Sequence, residues 1–107
     1  MRVPIQTDRI LVASDTGAVA ELLVSVDLIR RGFHVYRGVS PATPCDLIAT
    51  RGDRMWRVEV KAGKSSKDGL TYDKQSLHRD RFDLLAIVVN GQRIVYKPEL
   101  PGALLDA

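Results

Sequence analysis

The sequence predicts one α/β (α+β) domain over residues 1–107, a mixed sheet flanked by helices, in the order helix, three strands, helix, two strands. Three observations carry this. Residues 14–32 repeat apolar side chains at helical spacing, short β-prone runs follow with Gly, Pro or Asp between them, and a polar stretch at 71–81 divides those runs. A chain of 107 residues is long enough to bury a core of its own.

The first helix is "SDTGAVAELLVSVDLIRRG". Ser14 or Asp15 is placed to cap it, Val19, Leu22, Leu23, Val26 and Ile29 form its apolar stripe, and Gly32 ends it in a left-handed position. "FHVYRGV" (33–39) reads as a strand and "SPATP" (40–44), with two prolines, as a loop. "CDLIAT" and "MWRVEVKA" are strands joined by "RGDR", with Gly52-Asp53 as a two-residue hairpin turn. "GKSSKDG" (63–69) has loop composition, and "TYDKQSLHRDR" (71–81) is predicted as a short polar helix. "FDLLAIVV" is the most buried-looking strand; "NGQ" turns it, and "RIVYK" pairs back. The tail "GALLDA" has no clear role.

Composition excludes several classes. With 45% hydrophobic and 27% charged residues the chain has an ordinary globular balance. Its longest apolar run, "LLAIVV", is far too short to span a bilayer, and "MRVPIQTDRI" lacks the apolar core of a signal peptide. The single Cys45 allows neither an internal disulfide nor a zinc cluster. These features predict a cytoplasmic protein with no membrane partner. The net charge of +3 is concentrated: residues 51–81 hold nine Lys or Arg against five Asp or Glu. Such a stretch suits a polyanion-binding surface, although a solvated basic face has the same composition.

The hairpin raises the chemical question. Asp46 adjoins Leu47 and Ile48, and Glu59 and Lys61 bracket Val60. Charges in β-prone apolar runs are costly unless something uses them. A turn centred on Gly52 and Asp53 pairs residues whose numbers sum to 105, which sets Asp46 across from Glu59 and puts Lys61 on the same face. Cys45, Leu47 and Ala49 then face the other way with Trp56, Val58 and Val60. Two opposed carboxylates repel, and a divalent cation would remove the repulsion. Acids, metal and lysine together suit phosphodiester hydrolysis. Glu59 and Lys61 as an ordinary surface pair would give the same short pattern. Glu21, between Ala20 and Leu22, adds a third acid near the edge of the helix stripe.

The series "GAVAELLVSVDLIRRGFHVY", "PCDLIA", "WRVEVKAG" resembles the PD-(D/E)xK nuclease superfamily, and within it the group I intron-associated endonucleases and the archaeal Holliday junction resolvases. The resemblance runs from about residue 14 to 97 and implies a restriction-endonuclease-like core. It places the family's helix glutamate on Glu21, its aspartate on Asp46 and its E-x-K on Glu59, Val60 and Lys61, with the Val60 carbonyl as a further metal ligand. It implies a Mg²⁺-dependent deoxyribonuclease, with Mn²⁺ as a substitute, acting on DNA that is junction- or branch-directed in some relatives. Silent members also exist, so a nuclease-like nucleic-acid-binding module or a structural or regulatory protein is the alternative. Two departures stand out: Cys45 separates Pro44 from Asp46, and Gln75 is followed four residues later by Arg79 where some branches carry tyrosine.

Lys64 and Lys67 of the expected loop, with Lys74, Gln75 and Arg79 of the expected second helix, are the candidate DNA contacts, expected to touch the backbone with little sequence preference. Freely solvated lysines read the same way. One site per small domain against two DNA strands suggests a homodimer, with "GALLDA" and "RIVYK" as contact surface. The chain offers no separate specificity domain for a long site. "GKSSKDG" lacks phosphate-loop spacing, so no nucleotide cofactor is expected. His34 and His78 are expected to be structural or surface residues and Trp56 to lie in the core.

Overall fold

The computed structural model describes residues 12–40 and 42–101. The elements are α1 (Ala13–Arg30), β1 (His34–Arg37), β2 (Leu47–Arg51), β3 (Arg54–Ser66), β4 (Gly69–Tyr72), a 3-10 turn (Arg79–Arg81), β5 (Leu84–Val89) and β6 (Arg93–Lys97). The fold is the expected mixed α+β sheet. Its strand order is β1-β2-β3-β5-β6, with β4 added to β3 and only β3–β5 parallel.

The β2–β3 hairpin has the predicted register, from Leu47–Val58 to Arg51–Arg54. Gly52 supplies φ +64° at the first turn position, a backbone that L side chains rarely adopt. Leu47, Ala49, Val58 and Val60 therefore point together into the main core, where they meet Ala86 and Val88 of β5, Ile94 and Tyr96 of β6, and Ala20, Val24 and Leu28 of α1. Trp56 packs at the rim, edge-on to Phe33 with ring centroids 5.3 Å apart.

Three sequence expectations are corrected. The apolar stripe of α1 packs only in part: Leu23 lies against the core, but Val19, Leu22, Val26 and Ile29 are 42–57% exposed, while Ala20, Val24, Asp27 and Leu28 are buried. Ser14 and Asp15 lie inside the helix, whose N-cap is Val12, without a side-chain cap. The loop expected at 63–69 is instead the far end of a 13-residue β3, turning at Lys67-Asp68 into β4.

The short polar helix expected over 71–81 is also absent. Leu70, Thr71 and Tyr72 favour extended backbone and pair with β3. The Asp73 carboxylate then accepts the N–H groups of Gln75 and Ser76, a local turn that competes with helix. Only Arg79–Arg81 turns helically. This connection still does the work assigned to the helix: Leu70, Tyr72, Leu77 and Phe82 cover Leu85, Ile87 and Val89 on the second face of β5. With both faces covered, all six β5 residues are buried, as a central strand with a parallel partner requires.

Asp27 ties helix to sheet. Its carboxylate accepts the Tyr96 hydroxyl at 2.6 Å and Arg31 Nε at 2.9 Å, and the Arg31 guanidinium lies over the Tyr96 ring and bonds the Pro101 carbonyl. Burial and the Asp27 charge together hold the Tyr96 hydroxyl firmly protonated. Tyr96→Phe should cost about 1 kcal/mol, one net hydrogen bond, because Arg31 still serves Asp27. Asp27→Ala should cost about 3 kcal/mol, since it strands a buried guanidinium and hydroxyl. Urea denaturation of the two variants checks both the order and the gap.

Candidate active site

Strand pairing along β3 leaves a specific opening. Val58 has partners on both sides, Leu47 of β2 and Leu84 of β5. Gly63 likewise has Tyr72 of β4 and Val89 of β5. Strands β2 and β4 therefore share the edge of β3 opposite β5, and neither pairs with residues 59–62. Gly63 permits the close approach of β4 at one rim of this gap: a Cβ there would lie 2.8 Å from Ile87 Cγ2 and 3.0 Å from the Thr71 carbonyl.

Asp46 occupies the other rim, just ahead of β2. Its N–H bonds to the Val58 carbonyl at 3.1 Å, and its carboxylate accepts the Val60 N–H at 2.8 Å, so a side chain replaces the missing strand. Backbone alternation turns the Val60 carbonyl toward the same gap as its N–H. Glu59, half-buried, stands beside Asp46. Burial first, then the hydrogen bond and negative charge of Asp46, push its carboxyl up to about 8, with Lys61 opposing. The two acids thus sit together at the cost of one charge. A divalent cation could take the place of that proton, and the donor set of two carboxylates with a peptide carbonyl is the hard oxygen chemistry that Mg²⁺ prefers. The residues present fit such an ion.

Lys61 follows on the same face and donates from Nζ to Ser76 Oγ at 2.5 Å. Ser76 belongs to the Asp73 turn, and the Ser76 side chain together with the turn's N–H groups holds the Asp73 carboxyl below its ordinary range. Ser76 and Asp73 were missed in the sequence because a helix was expected there. Glu21 lies nearer the rim. Burial and then the Asp46 charge raise its carboxyl, while Arg37 Nη2 pairs with it at 3.4 Å. Among the described residues no three His, Cys, Asp or Glu side chains gather into a metal-holding group.

Of the expected DNA contacts, Lys64 lies on the β3–β4 ribbon and Lys67 at its tip, Lys74 beside the Tyr72 ring at 5.2 Å, Gln75 in the Asp73 turn and Arg79 in the 3-10 turn. His34 and His78 are exposed, as expected. A cleft of 580 Å³ between α1 and the β3–β5 face, lined by Val19, Ala20, Leu23 and Val88 among others, belongs to the helix side of the sheet.

A helix backing a mixed sheet, with an aspartate and an E-x-K meeting at an opened strand edge, defines the class. Residues 12–96 match the PD-(D/E)XK endonuclease family, and the chain belongs to that family. Its fold is similar to that of a bacterial homing endonuclease, I-Ssp6803I, with a TM-score of 0.62, 12% sequence identity, and coverage of 78% of this chain and 67% of that one. No curated protein matches the sequence. The family supports a nuclease function, with DNA as the substrate class it implies. No helix among the described residues is long and apolar enough to cross a membrane.

The Glu59 carboxyl sets a pH signature. A group protonated in the fold but ionised in the unfolded chain binds the proton more tightly when folded, so stability falls as pH rises from about 4.5 to about 8. With solvent screening of a half-open carboxyl, the loss should be about 1–2 kcal/mol. Thermal denaturation in EDTA should show this decline in wild type and a flat profile in Glu59→Gln. Added Mg²⁺ at pH 8 should restore the wild type alone.

Proposed function

We infer that the protein is a metal-dependent endonuclease that hydrolyses phosphodiester bonds in DNA. The observation that carries this is the Asp46–Glu59 pair with Lys61 beside it, held at a strand edge that neither β2 nor β4 covers. Asp46, Glu59 and the Val60 carbonyl would hold Mg²⁺, or Mn²⁺ in its place, while Glu21, paired with Arg37, does not complete a three-acid group with them. When bound, the ion would lower the pKa of a water and offset charge on the phosphate. Asp46 fixes the strand edge through the Val60 N–H, and Glu59 supplies a ligand oxygen. Lys61, held by Ser76, supplies positive charge next to the phosphate and a donor that orients the attacking water. Water adds its oxygen to phosphorus, the P–O bond to one sugar breaks, and the leaving oxygen takes up a proton. Lys64 and Lys67 of the β3–β4 ribbon, with Lys74, Gln75 and Arg79 of the connection after it, would hold the DNA; a junction or branch is one form of substrate that an open edge admits.

Asp46→Ala, Glu59→Ala and Lys61→Ala should each reduce Mg²⁺-dependent cleavage at least 100-fold while the proteins remain folded. The first two should also weaken Mn²⁺ binding by calorimetry, whereas Lys61→Ala should leave it intact. Assays on linear, single-stranded and four-way-junction DNA identify the substrate. Full activity in Lys61→Ala would overturn the assignment.

The ion pair of Glu21 with Arg37 favours a second reading, a nuclease-like fold that binds nucleic acid without cutting. DNA binding with no cleavage in Mg²⁺ or Mn²⁺ would select it.

A homodimer completes the first reading, one site for each strand of a duplex. Residues 102–107 of the expected contact lie outside the described residues. Among the described residues strand β6 is an edge of the sheet, and the exposed row Val19, Leu22, Val26 and Ile29 on α1 offers more apolar surface. Sedimentation at micromolar concentration should give a dimer for wild type and a monomer for Leu22→Glu with Ile29→Glu.

A further inference from the structure

We propose that the β3–β4 ribbon enters the major groove of duplex DNA and reads base edges, which makes it the specificity element of the nuclease site; this rests on the endonuclease reading above. The ribbon pairs Gly63–Tyr72, Lys64–Thr71, Ser65–Leu70 and Ser66–Gly69, and it runs past the end of its neighbour β5 at Val89. From first pair to last it is about 10 Å long, with strands about 4.8 Å apart. The major groove, about 12 Å wide and 8.5 Å deep, admits a two-stranded ribbon of that size.

The ribbon is stiffly based. Asn90 brackets its root, donating its N–H to the Gly63 carbonyl at 2.9 Å and accepting the Ser65 N–H on Oδ1 at 3.3 Å. Leu70 and Tyr72 are packed against the Leu85–Ile87–Val89 cluster. A preformed ribbon loses little entropy when it docks.

Its side chains discriminate among partners. Lys64, Ser65, Ser66, Lys67, Asp68 and Thr71 are exposed, and no exposed large hydrophobic residue lies on it. That argues against a protein-docking arm. A pure phosphate clamp would be cationic, yet the tip pairs Lys67 with Asp68 and the strands add three hydroxyls. Phosphates repel a carboxylate, whereas the amino group of cytosine N4 seeks one; lysine suits guanine O6 and N7. The set holds donors and acceptors, as base reading needs.

The ribbon and the candidate site share one strand. Lys61 and the tip residue Lys67 are six residues apart, about 20 Å, or roughly six base pairs along B-DNA. The bases read should therefore lie within about that distance of the cut.

The test uses the full chain carrying Lys61→Ala, in Ca²⁺, selecting from a randomised duplex pool that is sequenced after binding. The cut is mapped separately with the Lys61 protein. The parent should enrich a run of base pairs within about six of the cut, and guanine N7 methylation there should block binding. Adding Lys67→Ala with Asp68→Ala should lower enrichment at the tip-read pairs roughly tenfold relative to that protein's own binding of the unselected pool. Asp68→Asn, which keeps the shape of the tip, should change the preferred base there and guards against misfolding. The same motif from parent and tip variants, no motif at all, or indifference to N7 methylation would overturn the ribbon proposal while the nuclease reading stands. A parent that does not bind duplex DNA, together with a Lys61 protein that does not cut it in Mg²⁺ or Mn²⁺, would overturn both.

Discussion

The register of the β2–β3 hairpin is the constraint on which the rest depends. Side chains alternate with a period of two, so a slip of one residue would turn one strand over relative to the other. Either Leu47 and Ala49, each at most 1% exposed, would leave the α1 face, or Glu59 and Lys61 would enter it in place of Val58 and Val60. Each large apolar side chain contributes about 1.5–3 kcal/mol by burial, and an unpaired buried charge costs several more, so the alternative is far out of reach. Gly52 reinforces the choice locally by taking the positive φ of a two-residue turn. The core therefore determines where the acids stand, although neither acid contributes to it.

That explains which parts of the molecule were legible in the sequence. The hairpin, β5 and β6 were legible because period, apolar content and Gly-containing turns all agree there. The candidate acids were legible because the register follows from the turn. The packed face of α1 was not. Two stripes compete on that helix, and the larger residues Leu22, Val26 and Ile29 outweigh Ala20 and Val24 in any pattern. The deciding residue, Asp27, is a charge that sequence reasoning assigns to solvent; its partners Tyr96 and Arg31 are visible only in three dimensions. The polar stretch 71–81 misled for a related reason. Its charges suggest an exposed helix, but Leu70, Tyr72, Leu77 and Phe82 are wanted by the bare second face of β5, and tertiary burial outweighs weak local preference.

The opening at residues 59–62 is a consequence of strand lengths. β2 reaches β3 only as far as Val58 and β4 begins at Gly63, which leaves a short stretch of backbone polar groups without strand partners. Such an edge is normally a liability. Here the Asp46 carboxylate bonds the Val60 N–H and so seals part of it. The same carboxylate therefore has a structural task and a place in the proposed metal site. Placing Glu59 beside it adds repulsion that the hairpin, stabilised by its apolar face, is rigid enough to sustain. Functional sites commonly hold such unfavourable pairs, and the surrounding core offsets the cost.

Surface chemistry then separates tasks by face. Exposed apolar residues gather on α1, whereas the basic and hydroxyl-bearing residues lie along the β3–β4 ribbon and the turn after it. A highly charged duplex would not be served by the apolar helix row, and a second protein surface would find no apolar anchor on the ribbon. Because β3 runs from the main core through Glu59 and Lys61 into the ribbon, one continuous strand connects stability, the candidate chemistry and the groove-sized extension. A bend between Lys61 and Gly63 would change the distance from cut to recognised bases without touching either. At Gly63 an added Cβ would meet Ile87 and the Thr71 carbonyl, so the close packing of β3 between β4 and β5 at that point depends on glycine.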